Sequence, residues 1–370
     1  MRDLQSYNLQ TFSEYEYIGR RMNPMPYPLP LVSNATGIEI YTDSTEVWLD
    51  IEIDYDVWEP WAYTTFDDAV MSRQMLTKET HEICICRNLN PGRIKKLGFF
   101  RENQASFGDD RTCIYIKAIR ANGNFFPVAK KPLKIEFIGD SLTSGEGTYG
   151  VGDSSEYLPM FMSATHDYAK LTADIMNAEF HVISQGGWGV VSGWNNDPKL
   201  SIPRIYEQVY GLAMGEVNER LGTLAPYDFA WSPDYVVINL GTNDLIGFGA
   251  PAFTDPETGI SYQMRLCEDG NPNEEDIERL RKGIVGFLRT VRERNPKAQI
   301  VWSYGLLKIP YAESIEDGVN RYITESGDTK VHICKLPEAA DDELLCRLHP
   351  GYTAHVRAAR VLAECLHNIR

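Results

Sequence analysis

No apolar run in the 370 residues approaches the roughly 18 that a membrane-spanning helix needs, so a bilayer span is not expected. Positive charge is also scarce. With 36 Lys and Arg against 52 Asp and Glu, the formal net charge is -16. That argues against nucleic acid and against an anionic membrane surface as partners, and suits a neutral or cationic ligand. The opening residues Met1-Arg2-Asp3-Leu4-Gln5 carry no apolar core region and no cleavage signal, which predicts a cytoplasmic location. Cysteine is sparse and odd in number: the 7 are Cys84, Cys86, Cys113, Cys267, Cys334, Cys346 and Cys365. Their scatter predicts reduced thiols rather than a disulfide framework. Cys84-x-Cys86 is too tight for a zinc pair, no second pair lies nearby, and no other grouping has metal-ligand spacing. No metal and no cofactor is therefore expected. Internal repeats and low-complexity tracts are absent.

What the chain does have is 43% apolar and 11% aromatic residues, the composition of a folded protein, at a length that suits two domains. Up to about Val128 it reads as β-rich. Gly37 to Thr42, Val47 to Tyr55, His81 to Cys86 and Thr112 to Ile119 alternate or are β-branched, and Asn90-Pro91-Gly92 marks a turn. Short strands without a convincing helix predict a β-sandwich or jelly roll. Such a domain could bind carbohydrate, but a structural role is favoured, and one exposed face could pair two copies as a homo-oligomer. Pro127, Lys130, Lys131 and Pro132 read as a junction, which divides the chain into 1–130 and 131–370. Beyond it strands and helices alternate. Helical spacing is expected over Ser163 to Ala178 with Thr165 as cap, over Pro203 to Leu221, over Glu274 to Arg294 and over Tyr352 to Ile369. Tyr235-Val236-Val237-Ile238-Asn239-Leu240 and Gln299-Ile300-Val301-Trp302-Ser303-Tyr304 read as buried strands. The expected class is α/β: a parallel sheet wrapped by helices, with ligands at the carboxyl ends of its strands.

One such end carries Ser141. Leu133, Ile135, Phe137 and Ile138 make an apolar run that Gly139-Asp140-Ser141 breaks, and small neighbours leave the hydroxyl open. By itself this could equally be a helix N-cap. Three more loops tip the balance: Ser184-Gln185-Gly186-Gly187-Trp188-Gly189, Gly241-Thr242-Asn243-Asp244, and His349-Pro350. Together they offer a nucleophile, a base, a side-chain amide and glycine backbone, the set that acyl transfer requires. A serine hydroxyl attacks only when an imidazole accepts its proton, and the resulting oxyanion needs preorganised donors. Trp188 and Trp302 are candidates to stack on a sugar face, with Tyr149, Trp194 and Tyr304 as further rim candidates. Asp140 and Asp244 read as turn residues that hold backbone N–H groups. His355 reads as a helix residue near the site, and His81 and His181 as structural.

These ordered blocks resemble those of the SGNH (GDSL-type) hydrolases, over about residues 132–370. The resemblance implies a flavodoxin-like three-layer α/β/α domain. It implies Ser141 as nucleophile, His349 as base and Asn243 as oxyanion donor beside the Ser141 N–H. The third donor is Gly189, counted five residues from the start of its block, with Gly187 as the fallback. With a β-rich region ahead of it, the layout is similar to the two-domain acetyl esterases of carbohydrate esterase family two. That implies an O-acetylesterase acting on acetylated xylo- or manno-oligosaccharides. The rivals are a short-chain lipid or thioester hydrolase on the same fold, and a carbohydrate-binding protein with little turnover.

One position departs from the pattern. Three residues before the histidine the family usually has Asp, and here stands Cys346, a weak acceptor. Either Asp341, Asp342 or Glu343 reaches His349 from a rearranged loop, or a backbone carbonyl holds its Nδ1–H in a Ser–His dyad. The dyad is favoured.

Overall fold

A computed structural model describes residues 3–152 and 154–369 and divides into two compact units. The first comprises the residues up to Lys131 together with Glu156–Thr165 and Gln208–Tyr227. Its centre is two antiparallel sheets. One runs in the order Gln5–Asn8, Cys113–Ala121, Val47–Asp54, Glu82–Cys86; the other runs Phe125–Phe126, Gly37–Thr42, Lys95–Arg101, Trp61–Phe66, Ala69–Met75. The alternation read from the sequence is realised as burial. Val47, Leu49, Ile51 and Ile53 enter one core with Ile38, Ile40, Leu97, Phe99, Ile114 and Ile116, so the two inner faces interdigitate as a sandwich. Cys84 is exposed and Cys86 half-buried on their strand, and both are free thiols.

Two segments that follow the junction in sequence belong to this unit. The stretch 203–221, expected to be helical, forms only a 3-10 turn at Ile202–Arg204 and a short helix at Glu216–Arg220. Its middle is captured by other partners. Val209 and Tyr210 donate to Ala225 and Thr223, and the Tyr210 hydroxyl accepts from the Arg20 N–H at 2.7 Å. Gly211 and Gly215 weaken the helical alternative.

The second unit comprises Pro132–Ser155, His166–Glu207 and Asp228–Arg370. Its sheet is parallel: β1 (Leu133–Gly139), β2 (Ala178–Ser184), β3 (Tyr235–Asn239), β4 (Gln299–Tyr304) and β5 (Val331–Lys335), in the spatial order 2-1-3-4-5. This is the flavodoxin-like order, whose crevice opens where the path reverses beside β1. Val236, Val237 and Ile238 are fully buried, as expected of a strand covered on both faces. The helices are α1 (Tyr168–Ile175), α2 (Thr242–Ile246), α3 (Glu274–Arg294), α4 (Glu313–Ser326) and α5 (Tyr352–Asn368). In α3 Ile277, Leu280, Ile284, Phe287, Leu288 and Val291 are buried. Asn273 caps its start, and acids in the first turn with Arg292 and Arg294 in the last suit the helix dipole. α1 starts later than its sequence pattern predicts. Asp167 caps it by accepting from the Lys170 N–H at 2.9 Å, while Thr165 donates its hydroxyl to Glu102.

Among the described residues no helix is long and apolar enough to cross a membrane, and no group of three or more His, Cys, Asp or Glu could hold a metal ion.

Candidate active site

Ser141 stands on the turn that leaves β1. Gly139 is obligatory there, because a Cβ would fall 2.0 Å from Thr143 Oγ1. Asp140 ties the turn: its Oδ1 accepts from the Leu142 N–H at 3.0 Å and its carbonyl from the Ser144 N–H at 3.0 Å. The Ser141 backbone N–H has no acceptor among the described residues and is free to bind an anion.

His349 meets this serine from the loop ahead of α5. Its Nε2 lies 2.9 Å from Ser141 Oγ, and its Nδ1 lies 3.0 Å from the Arg347 carbonyl oxygen. A carbonyl only accepts, so Nδ1 carries the proton and Nε2 is left to take the one from the serine hydroxyl. The orienting group is thus a backbone carbonyl. Cys346 Sγ instead points to Ser154 Oγ at 3.7 Å. Asp341 and Asp342 are exposed, and Glu343 accepts from the Ala340 N–H and from Arg357. The loop that presents this carbonyl is contorted: Arg347 and Leu348 both have left-handed φ, 53° and 58°. Each non-glycine residue in that region costs roughly 1–2 kcal/mol.

Asn243, in the first turn of α2, donates its Nδ2 to the Trp188 carbonyl at 2.8 Å and to Asp140 Oδ2 at 3.2 Å. Asp244 next to it braces the glycine loop, accepting from the N–H groups of Val190 (2.8 Å), Val191 (2.7 Å) and Ser192 (3.2 Å). Burial pushes both acids up. Asp140 reaches about 7, with the charges of Asp244 and Glu146 adding to desolvation against the Leu142 N–H. Asp244 reaches about 6 despite its three amide donors. Behind the histidine loop, His355 is buried, and its Nδ1 accepts from the Tyr168 N–H at 3.1 Å. Desolvation is the main cause that pushes it down to about 3.

Three sequence-derived roles are corrected by this geometry. The Gly189 N–H is consumed by the Leu200 carbonyl at 3.1 Å, in a parallel bridge with Ser201, and is not available to an oxyanion. The Gly187 N–H, by contrast, has no acceptor among the described residues, and its φ of +83° needs glycine. Trp302 is fully buried in β4, edge-on to Phe287, with its Nε1–H donated to the Leu240 carbonyl. Trp188 is also buried, and what it brings to the site is its carbonyl. Both indoles are core, not sugar platforms. The exposed indole of this loop is Trp194 (51% exposed), whose Cδ1 would lie 2.9 Å from a Cβ on Gly187. Of the other rim candidates, Tyr149 bonds His166 at 2.7 Å, and Tyr304 is buried and bonds Glu316.

Residues 137–355 match the GDSL-like Lipase/Acylhydrolase family. The whole chain is similar to the solved structure of an acetyl xylan esterase (Est2A) from the rumen bacterium Butyrivibrio proteoclasticus. The two are 40% identical with a TM-score of 0.94, over 99% of this chain and 98% of that one. It is also similar in fold to a family two carbohydrate esterase from Clostridium thermocellum solved with cellohexaose, at 21% identity and a TM-score of 0.77 over 96% and 98% of the two chains. Among curated proteins, the cellulase/esterase CelE of Acetivibrio thermocellus is 28% identical over 249 residues. That match takes in 64% of this chain, which spans about a quarter (26%) of CelE.

Proposed function

Because the chain belongs to the GDSL-like lipase/acylhydrolase family, we propose that it is a carbohydrate O-acetylesterase working through a serine acyl-enzyme. The observation that carries this reading is the 2.9 Å contact of His349 Nε2 with Ser141 Oγ, with the histidine tautomer fixed from behind by the Arg347 carbonyl. Ser141 Oγ attacks the acetyl carbonyl carbon as its proton passes to His349 Nε2. The negative charge that develops on the carbonyl oxygen is met by the Ser141 N–H, the Gly187 N–H and the Asn243 amide. Collapse breaks the bond to the sugar oxygen, which takes the proton from His349 and leaves as an alcohol. Water then gives its proton to the same nitrogen and attacks the acetyl-enzyme, and collapse releases acetate as His349 returns that proton to Ser141 Oγ. A carbonyl behind the imidazole keeps the tautomer but stabilises the imidazolium less than a carboxylate would.

The substrate class follows from two supports. The 40% identical neighbour is described as an acetyl xylan esterase, and the exposed Trp194 ring beside Gly187 offers a flat apolar face to a sugar. Acetylated xylo- or manno-oligosaccharides are the proposed substrates. Acetate release from both is measured with the native chain and with Ser141→Ala. Release by the native chain alone supports the proposal. No release from either oligosaccharide defeats it, and faster turnover of long-chain than of acetyl esters would replace it with a lipid-directed activity.

A further inference from the structure

Three contacts converge on the turn Gly145-Glu146-Gly147, which the acyl-transfer chemistry does not itself use. The Glu146 N–H donates to the Ser141 carbonyl at 2.9 Å, tying this turn to the nucleophile. The Glu146 carboxylate is buried, its side chain 8% exposed, and accepts from Arg347 Nη1 at 2.6 Å. Gly147, with φ +71°, lies directly under the histidine: a Cβ there would stand 2.5 Å from His349 Cβ and 2.9 Å from the Cys346 carbonyl. On the facing loop, Arg347 and Leu348 occupy the left-handed region without being glycine, so that turn does not hold itself by local preference.

We propose that Glu146 and Gly147 form a seat for the histidine loop, and that Glu146 and Arg347 are positioning residues for catalysis. The guanidinium and the carbonyl of Arg347 belong to one residue. Anchoring the first on a buried carboxylate fixes the peptide that presents the second to His349 Nδ1. A carboxylate partner could follow a moving imidazole through either of its oxygens. A lone carbonyl cannot, and rotation of one peptide would remove it. The charge-assisted bond to Glu146, together with the Arg347 N–H donated to the Ser154 carbonyl at 2.7 Å, resists that rotation. Gly147 lets the loop descend close enough for the imidazole to reach Ser141.

This inference rests on the serine-hydrolase reading, and the experiment separates the two. The intact chain is assayed with p-nitrophenyl acetate as native protein, Ser141→Ala, Glu146→Gln, Arg347→Gln, the double variant of the last two, and Arg347→Lys. Each clamp variant is expected to lose between about tenfold and about a hundredfold in kcat. KM should stay within about twofold, since the ground-state contacts to the ester are untouched. The double variant should lose no more than the worse single, because both act through one contact. Arg347→Lys should recover part of the loss by restoring the charge. Near-native kcat in the singles, losses that multiply in the double, or no recovery with lysine each overturn the seat. Should Arg347→Gln fail to fold, Arg347→Gly removes the guanidinium while relieving the left-handed φ; loss of kcat with an intact melting transition supports the seat, and native kcat overturns it. A Ser141→Ala variant that keeps native turnover defeats the hydrolase reading itself. An inactive Ser141→Ala beside native-like clamp variants defeats only the seat.

Discussion

Replacing Asn243 by alanine separates what this amide does for the fold from what it does for the reaction. In the free protein both of its N–H groups are engaged, with the Trp188 carbonyl at 2.8 Å and with Asp140 Oδ2 at 3.2 Å. An oxyanion must therefore take one of them over, and the longer bond to Asp140 is the one to yield. Loss of a single oxyanion donor costs about 2.7–4 kcal/mol in the barrier, or about 10²- to 10³-fold in rate. Because a bond to Asp140 is surrendered when the oxyanion forms, the lower end, about a hundredfold, is expected. Acylation and deacylation each pass through an oxyanion, so kcat and kcat/KM for an acetyl ester should fall together. The fold has its own share. Truncation leaves the Trp188 carbonyl and one Asp140 oxygen without a donor, at about 1–3 kcal/mol for each buried orphan. Steady-state kinetics on p-nitrophenyl acetate, beside urea unfolding, measure the two shares. A variant that unfolds as a single cooperative transition and keeps more than about a tenth of native kcat would refute the assignment of Asn243 as a donor.

Asp140 should make stability depend on pH. Its folded-state value near 7 stands above the ordinary 3.8, so its contribution is fully present in acid and is lost as pH rises from about 4 to about 7. Relative to Asp140→Asn, the native chain should lose roughly 1.4 kcal/mol per pH unit across that window, and a difference in unfolding free energy that stays flat would count against it. Trp302→Phe removes the buried indole bond to the Leu240 carbonyl and should lower stability by about 1–3 kcal/mol with kinetics unchanged. Trp194→Ala should do the reverse: unfolding unchanged, KM for an acetylated oligosaccharide raised up to about tenfold, and p-nitrophenyl acetate turnover unaffected. Matching effects of Trp194→Ala on both substrates would remove it from the sugar site. Gly189→Ala should destabilise more than Gly187→Ala in thermal melting, because the first Cβ meets the Ser192 carbonyl at 2.1 Å and Asp244 at 2.3 Å while the second meets only the exposed Trp194 ring. The opposite order would mean that the glycine loop is held differently.

What could be read from the sequence was what side chains alone determine. The runs at Val236, Val237 and Ile238 announced a strand covered on both faces, and the apolar stripe of α3 announced its buried side. Ser141, Asn243 and His349 were legible as candidates because few residue types can attack, accept a proton or donate an amide, and the structure brings Ser141 and His349 to 2.9 Å. The misses share a different cause. Ile205, Val209 and Leu212 imitate helical spacing, but the backbone N–H groups of Val209 and Tyr210 go to Ala225 and Thr223, beyond the reach of a helical turn, a choice that no local window contains. Thr165 and Asp167 are both competent caps, and only the buried Glu102 decides that the threonine hydroxyl is spent elsewhere. Counting along the glycine block locates Gly189 but not the direction of its N–H, which Leu200 fixes from eleven residues on.

That a backbone carbonyl would hold the histidine was favoured from the missing acid, but which carbonyl was not legible, since every residue owns one and none advertises its orientation. The sequence showed that the expected acid is missing, with Cys346 in its place. What replaces it is a conformation, two consecutive left-handed residues, and not a residue type. A conformation disfavoured in itself persists only where other contacts over-determine it. Here those contacts come from the segment just after Ser141: the Glu146 carboxylate on Arg347 and the bare backbone of Gly147 beneath His349. The block read for its serine therefore also carries, five and six residues further on, the residues that meet the loop of a histidine some two hundred positions away.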